Sequence, residues 1–172
     1  KNNFINLLYE KEIYYLLISL VIFSIFNLKS LSFLGDSGAY VLSMLVGYIL
    51  IVNFNNNFFI SPYYLGVLLW YPAFENLFSL SRRLIKGNKV SRADNNHLHQ
   101  LIFFLFKKKF FNSSSLANSF TSIAILSYNV LIFFFATKNF SSTNILTLII
   151  TFNIFIYCTL YYFLSKYFIQ DK

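Results

Sequence analysis

From Ser37 to Phe74 the chain runs for 38 residues without an Asp, Glu, Lys or Arg. As one helix, at about 1.5 Å per residue, such a stretch would be roughly 57 Å long, nearly twice the hydrocarbon thickness of a bilayer. It must therefore fold back. The reversal falls at Asn53-Phe54-Asn55-Asn56-Asn57 and Ser61-Pro62, where turn-forming residues interrupt the apolar run. Three more charge-free stretches follow the same rule: Ile13 to Leu28 (16 residues), Phe110 to Thr137 (28) and Asn139 to Ser165 (27). A spanning helix needs about 20 apolar residues. The pattern thus predicts an all-α polytopic membrane bundle of about five spans, near 12–28, 36–53, 60–80, 116–136 and 145–164, with one long basic loop at 82–109. Composition agrees: 57% of residues are hydrophobic and 12% charged, where soluble domains carry about a quarter charged residues. A water-soluble globule is excluded.

Orientation follows from the cations, because cytoplasmic loops carry the Lys/Arg excess. Eight of the 14 lie between Arg82 and Lys109, against the single acid Asp94. That loop is expected inside, with Lys29, Lys166 and Lys172. The Asn-rich hairpin and Lys138 are expected outside. Lys1 and Lys11 also fall outside, partly balanced by Glu10 and Glu12. A secretory signal is the competing reading of residues 1–28, but the two glutamates flank its apolar core and no small-residue cleavage site follows. The single Cys158, in the last span, supports neither a disulfide nor a metal site and reads as packing.

The informative residues are those that sit badly in lipid. Asp36, in Phe33-Leu34-Gly35-Asp36-Ser37-Gly38, stands at the start of the second span and is the only acid between Glu12 and Glu75. An ionisable group at a membrane boundary is a functional hypothesis by default. Its plain alternative is a helix cap at the positive end of the second span. The flanking glycines favour function, since they let the backbone turn tightly and a large anion or hydrated Mg²⁺ approach. In the loop, Arg82 and Arg83 with Lys86 form an anion-binding cluster or a positive-inside anchor for acidic lipid. Arg82 and Lys86 share a face if the third helix continues that far. His97 and His99 would point to nearly opposite sides of a regular helix, so they converge only in an extended or turning segment. With Asp94 they make a weak metal signal, and donation to phosphate oxygens is an equally good use. Glu75, two helical turns before Arg82, reads as a structural carboxylate that orients the cations or pairs with a neighbouring helix.

These residues resemble the C-terminal half of the bacterial polyprenyl-phosphate N-acetylhexosamine-1-phosphate transferases, relatives of the phospho-MurNAc-pentapeptide transferase. Three stretches carry the resemblance: Phe26-Asn27 followed by Phe33 to Tyr40, Tyr71-Pro72 through Arg82-Arg83, and Gly87 through Asp94 to His97-Leu98-His99. Together they span about residues 20–105 in family order. The resemblance implies that residues 1–172 are the C-terminal part of one membrane transferase domain in the bacterial inner (plasma) membrane, with its active site on the cytoplasmic face. It implies transfer of a sugar 1-phosphate from a UDP-sugar, UDP-HexNAc, to polyprenyl phosphate, with Mg²⁺ (Mn²⁺ as the alternative ion) and release of UMP, in cell-envelope glycan synthesis. By the same resemblance Asp36 is catalytic and a metal ligand, His97 and His99 are catalytic residues at the nucleotide phosphates, and Arg82, Arg83, Lys86 and Asp94 bind substrate, Asp94 by shaping the loop. It implies no nucleic-acid partner and leaves room for a homodimer.

Two departures stand out. Gln100 replaces a histidine common in the family, and the segment between Asn27 and Gly35 is about a residue shorter and lacks the family's prolines. The family's paired aspartates and its Asn-rich Asp-Gly motif have no counterpart in residues 1–30, so the 172-residue polypeptide alone is expected to lack transferase activity. Two other classes fit the composition. A transporter or channel fragment would use Asp36 and Glu75 as ion sites, and a structural membrane subunit would use the basic loop as an anchor.

Overall fold

The computed structural model describes residues 2–85, 87 and 96–169. Lys86 and Asp94, both expected to bind substrate, lie outside the described residues. Among the described residues there are six helices and no strand: α1 (Asn2–Leu28), α2 (Gly35–Asn56), α3 (Pro62–Ile85), α4 (Leu98–Lys109), α5 (Ser114–Lys138) and α6 (Thr143–Ile169). The all-α membrane bundle expected from the charge-free stretches is present, with a helix at each expected span. By length and composition three are able to cross a membrane: Gly35–Val52 of α2, Ser114–Lys138 of α5 and Thr143–Phe168 of α6. Ile13–Leu28 is a shorter apolar helix segment.

α3 is long enough but not among the three. It carries Pro72, Glu75, Asn76, Arg82 and Arg83, and its neighbours in the bundle cover Val67, Trp70, Glu75 and Ser79, so Glu75 and Ser79 have protein around them where lipid would be costly. The expected loop at 82–109 also needs correction. α3 runs on to Ile85, and Leu98–Lys109 is helical. The reason is local: Leu98, Leu101 and Ile102 recur at helical spacing on a covered face, and Lys107, Lys108 and Lys109 occupy the last turn, where cations suit the negative end of the helix dipole.

The chain divides into two compact units, Lys1–Met44 and Leu45–Lys172. In the first, α1 ends because its last carbonyls are taken by the turn that follows. The Leu31 N–H donates to the Phe26 carbonyl at 3.0 Å and the Ser30 N–H to that of Asn27 at 2.9 Å. The Asn27 side-chain amide closes the turn on the Ser32 carbonyl at 2.9 Å.

In the second unit α3 packs on α5 and α6, α4 packs on the same two helices, and α5 meets α6. Val67, Trp70, Leu98, Ile132, Ala136, Leu146 and Tyr157 form the core. The buried positions of α5, namely Ala117, Thr121, Asn129, Ile132 and Ala136, fall three, four or eight apart and so make one face. The large apolar side chains point the other way: Phe134, Phe135, Leu148, Phe152 and Phe155 are all more than half exposed. Thr121 and Asn129 inside with Phe134 and Phe135 outside is the arrangement a lipid solvent selects, since polar groups must find partners within the protein. They do. Trp70 Nε1–H donates to Asn129 Oδ1 at 3.0 Å, and the Tyr128 hydroxyl donates to Asn153 Oδ1.

The two ends of this unit separate the charges as the sequence predicts. At one end Ser61, just before α3, donates its N–H to the Phe140 carbonyl at 2.9 Å, and its hydroxyl lies 3.0 Å from that of Thr143. The Asn-rich turn and the Lys138 turn therefore share an end. At the other end the ammonium groups of Lys108 and Lys109 lie 5.1 and 5.2 Å from the centre of the Tyr167 ring. The cations of α4 thus stand beside the C-terminal part of α6.

Candidate functional site

The site is built on the first turn of α4. His97 is its N-cap, with extended backbone (φ −73°, ψ 154°), and Gln100, three residues on, accepts the His97 N–H through Oε1 at 3.0 Å. That His-x-x-Gln spacing is the side-chain-to-backbone half of a capping box. Because His97 stands outside the helix and His99 inside its first turn, the two imidazoles need not diverge. Their rings stack, centroids 5.4 Å apart and planes 19° from parallel. The convergence expected only of a turning segment is thereby obtained. Gln100 has an evident role as the capping acceptor.

The second element is α3. Glu75 is 8% exposed and reaches across to α4, where one carboxylate oxygen accepts the His99 backbone N–H at 3.3 Å and lies 3.1 Å from His99 Nδ1. The other oxygen lies 3.2 Å from the same nitrogen. The first N–H groups of a helix have no partner within it and favour an anion; here the anion is a side chain from another helix. Of the two structural roles read from sequence for Glu75, pairing with a neighbouring helix is the one observed. Aromatic packing sets its place. Phe74 and Phe78 lie edge-on to Tyr157 at 5.0 and 5.3 Å, and Phe78 meets Tyr161 at 4.7 Å.

One turn past Phe78, the Arg82 guanidinium lies 5.6 Å from the centre of the Tyr161 ring, within cation–π range. Arg83 Nε–H donates to the Ser79 carbonyl at 3.4 Å. Both arginines thus sit on the last turn of α3, at the end of the unit that also carries Lys107, Lys108 and Lys109.

Between α3, α4 and α5 lies a groove of about 610 Å³. His99 and Gln100 line it at the α4 end, Asn118, Thr121 and Ser122 along α5, and Leu68 and Phe133 further along those helices. Its wall is mostly apolar with a polar end, the form of an amphiphile's site. Pro72 also lines it. Lacking an N–H, Pro72 cannot donate to the carbonyl of Leu68 one turn back, which adds backbone polarity to an otherwise greasy stretch.

Asp36 belongs to the first unit. It is exposed and sits in the first turn of α2, where the helix dipole favours its charge. Gly35 ahead of it has φ +67°, a left-handed backbone that a side chain would strain. At Gly38 the constraint is space, because an added Cβ would stand 2.9 Å from Leu34 Cγ. Gly35 makes the tight turn that was expected, while the space beside Gly38 is taken by Leu34. For Mg²⁺ the donor set is incomplete: among the described residues no three His, Cys, Asp or Glu side chains come together. Asp36 offers a single carboxylate, so these residues do not by themselves build a metal site.

Glu75 and Gln100 are the contributors that sequence reasoning left outside the site. Gln100 had a readable signal in its spacing from His97, whereas the pairing of Glu75 with a residue 24 positions away depends on how α3 and α4 pack. No family model, curated protein or solved structure matches the chain.

Proposed function

We propose that the chain is the C-terminal part of a bacterial inner-membrane transferase that moves a sugar 1-phosphate from a UDP-sugar to polyprenyl phosphate and releases UMP on the cytoplasmic face. The observation that carries this reading is His99 at the polar end of a largely apolar groove, with His97 stacked on it, on a unit where Arg82, Arg83 and Lys107–Lys109 share one end. Both substrates are anionic, and one is anchored in lipid. An oxygen of the lipid phosphate must attack the phosphorus that bears the sugar. Fixed cations must offset the repulsion between the two anions and the charge that develops on the departing UMP.

In this reading His97 and His99 donate to nucleotide phosphate oxygens, Arg82 and Arg83 hold the diphosphate or the lipid phosphate, and the groove receives the lipid. Asp36 enters on the resemblance alone, as one ligand to a Mg²⁺ ion that would supply Lewis-acid stabilisation of the phosphates. Lys86 and Asp94 enter on the same ground.

The test is nucleotide binding by the protein in lipid nanodiscs. UMP and UDP-HexNAc are expected to bind, and His97→Ala, His99→Ala and Arg82→Ala are each expected to weaken UMP about 10- to 100-fold, as loss of a charge-assisted hydrogen bond would. Failure of the unmodified protein to bind either nucleotide, or unchanged affinity in all three variants, would sink the proposal.

A further inference from the structure

We infer that Glu75 is a positioning residue that fixes which nitrogen of His99 faces a ligand. Glu75 is almost fully covered, its two oxygens lie 3.1 and 3.2 Å from His99 Nδ1, and it also accepts the His99 backbone N–H at 3.3 Å. A carboxylate has no proton to give, so a hydrogen bond across that contact requires Nδ1 to carry one. The tautomer is thereby set, and Nε2 remains for whatever enters the groove that His99 lines. His99's side chain is about half exposed, 47% against 10% for that of Glu75, so the carboxylate is the buried, fixed partner and the imidazole is the presented one.

The three contacts work together. The backbone contact fixes the height of α4's first turn against α3, and the ring contacts fix the rotation of the imidazole. A carboxylate hydrogen-bonded behind a metal-bound imidazole does the same, and its loss costs about 10- to 100-fold. Here the class of ligand is an anion. In its doubly protonated form the ring offers an Nε2–H donor suited to a phosphate oxygen. The groups near this pair are His97, stacked on His99, Tyr71 and Tyr157, both within electrostatic reach of Glu75, and Arg82, within reach of Tyr157. The phosphate part of the inference rests on the transferase reading. The tautomer part does not.

Nitrogen-15 NMR of histidine-labelled protein tests it, since the chain has only two histidines and His97→Gln assigns the signals. In the unmodified protein at a pH above the ring's titration, His99 is expected to carry its proton on Nδ1. A ring protonated on Nε2 alone would overturn the inference without recourse to any variant. Glu75→Gln and Glu75→Leu should release the ring, giving mixed or Nε2-protonated signals while the fluorescence of Trp70, the sole tryptophan, stays native. Should those variants misfold, the unmodified protein's spectrum alone decides.

With UMP, Glu75→Gln should weaken binding about tenfold and add nothing to His99→Ala, whereas independent losses in the double variant would show that Glu75 does not act through His99. If no nucleotide binds but the Nδ1 proton and its dependence on Glu75 are found, the transferase reading falls and the positioning role stands.

Discussion

At the scale of single residues, the second unit is held by hydrogen bonds placed where lipid would leave polar groups unsatisfied. Asn129 illustrates this: it accepts from Trp70 and donates its own amide to the Ile125 carbonyl at 2.9 Å, so one side chain joins α5 to α3 and is itself satisfied. Asn129→Leu keeps the γ-branched shape and removes both bonds, stranding the Trp70 indole N–H. Interhelical bonds of this kind in membranes average well under 1 kcal/mol, with an upper range near 2. The stranded donor places this site toward the upper end, so a loss of about 1 kcal/mol is expected. The measurement is thermal unfolding in detergent followed by Trp70 emission. An unchanged midpoint would mean that the bond carries no net stability. Asn129 was not legible as a contact from sequence. In a chain rich in asparagine nothing distinguishes the one that faces a tryptophan from those in turns, because the pairing is created by the packing of α3 against α5.

Elements were far easier to read than their contacts. The charge-free stretches locate helices because only a helix satisfies its own backbone in lipid. A break in the 38-residue run was legible, since one helix of that length would overrun the bilayer. α2 nonetheless continues through Asn56, and the non-helical segment is residues 57–61, one turn later than the Asn-rich run suggested. α4 was missed for the opposite reason: the cations of 82–92 before it and Lys107–Lys109 at its end made a short amphipathic helix look like part of one basic loop. His97 and His99 were legible as candidates, and their convergence was conditional on a turning segment, which the N-cap supplies. Glu75 was legible as structural, but its partner was not. Helix-to-helix fit is where α5 is most exposed to change. Ala136 is fully buried in the cluster with Val67 and Leu146, so Ala136→Phe should force α5 off its neighbours at a cost of about 1–3 kcal/mol. Ala136→Ser, nearly the same size, should behave close to the parent. Equal unfolding midpoints for the Phe variant and the parent would show that the α5 contact yields without strain.

For the whole molecule, the charge distribution makes a claim about sidedness that chemistry can check. Phe58, 97% exposed in the turn before α3, and Phe110, 66% exposed just after the Lys107–Lys109 run, lie on segments that the positive-inside rule assigns to opposite faces. With Cys158→Ser as background, a membrane-impermeant thiol reagent applied to intact spheroplasts should label Phe58→Cys directly and Phe110→Cys only after permeabilisation. The reverse pattern would invert the orientation, and labelling of both from outside would contradict the spanning arrangement.

The tie between Ser61 and the Phe140–Thr143 turn bears on how such a bundle can move. With that end of α3 fastened to the start of α6, any change in the tilt of α3 pivots about Ser61. Arg82 lies 21 residues further on, about 30 Å along the axis. A few degrees of rocking there displaces the guanidinium by an ångström or two and leaves the pinned end almost still. Such rocking would work against the Arg82–Tyr161 and Phe78–Tyr161 contacts, and Glu75, some 20 Å from the pivot, would be the point at which α4 is carried along with it.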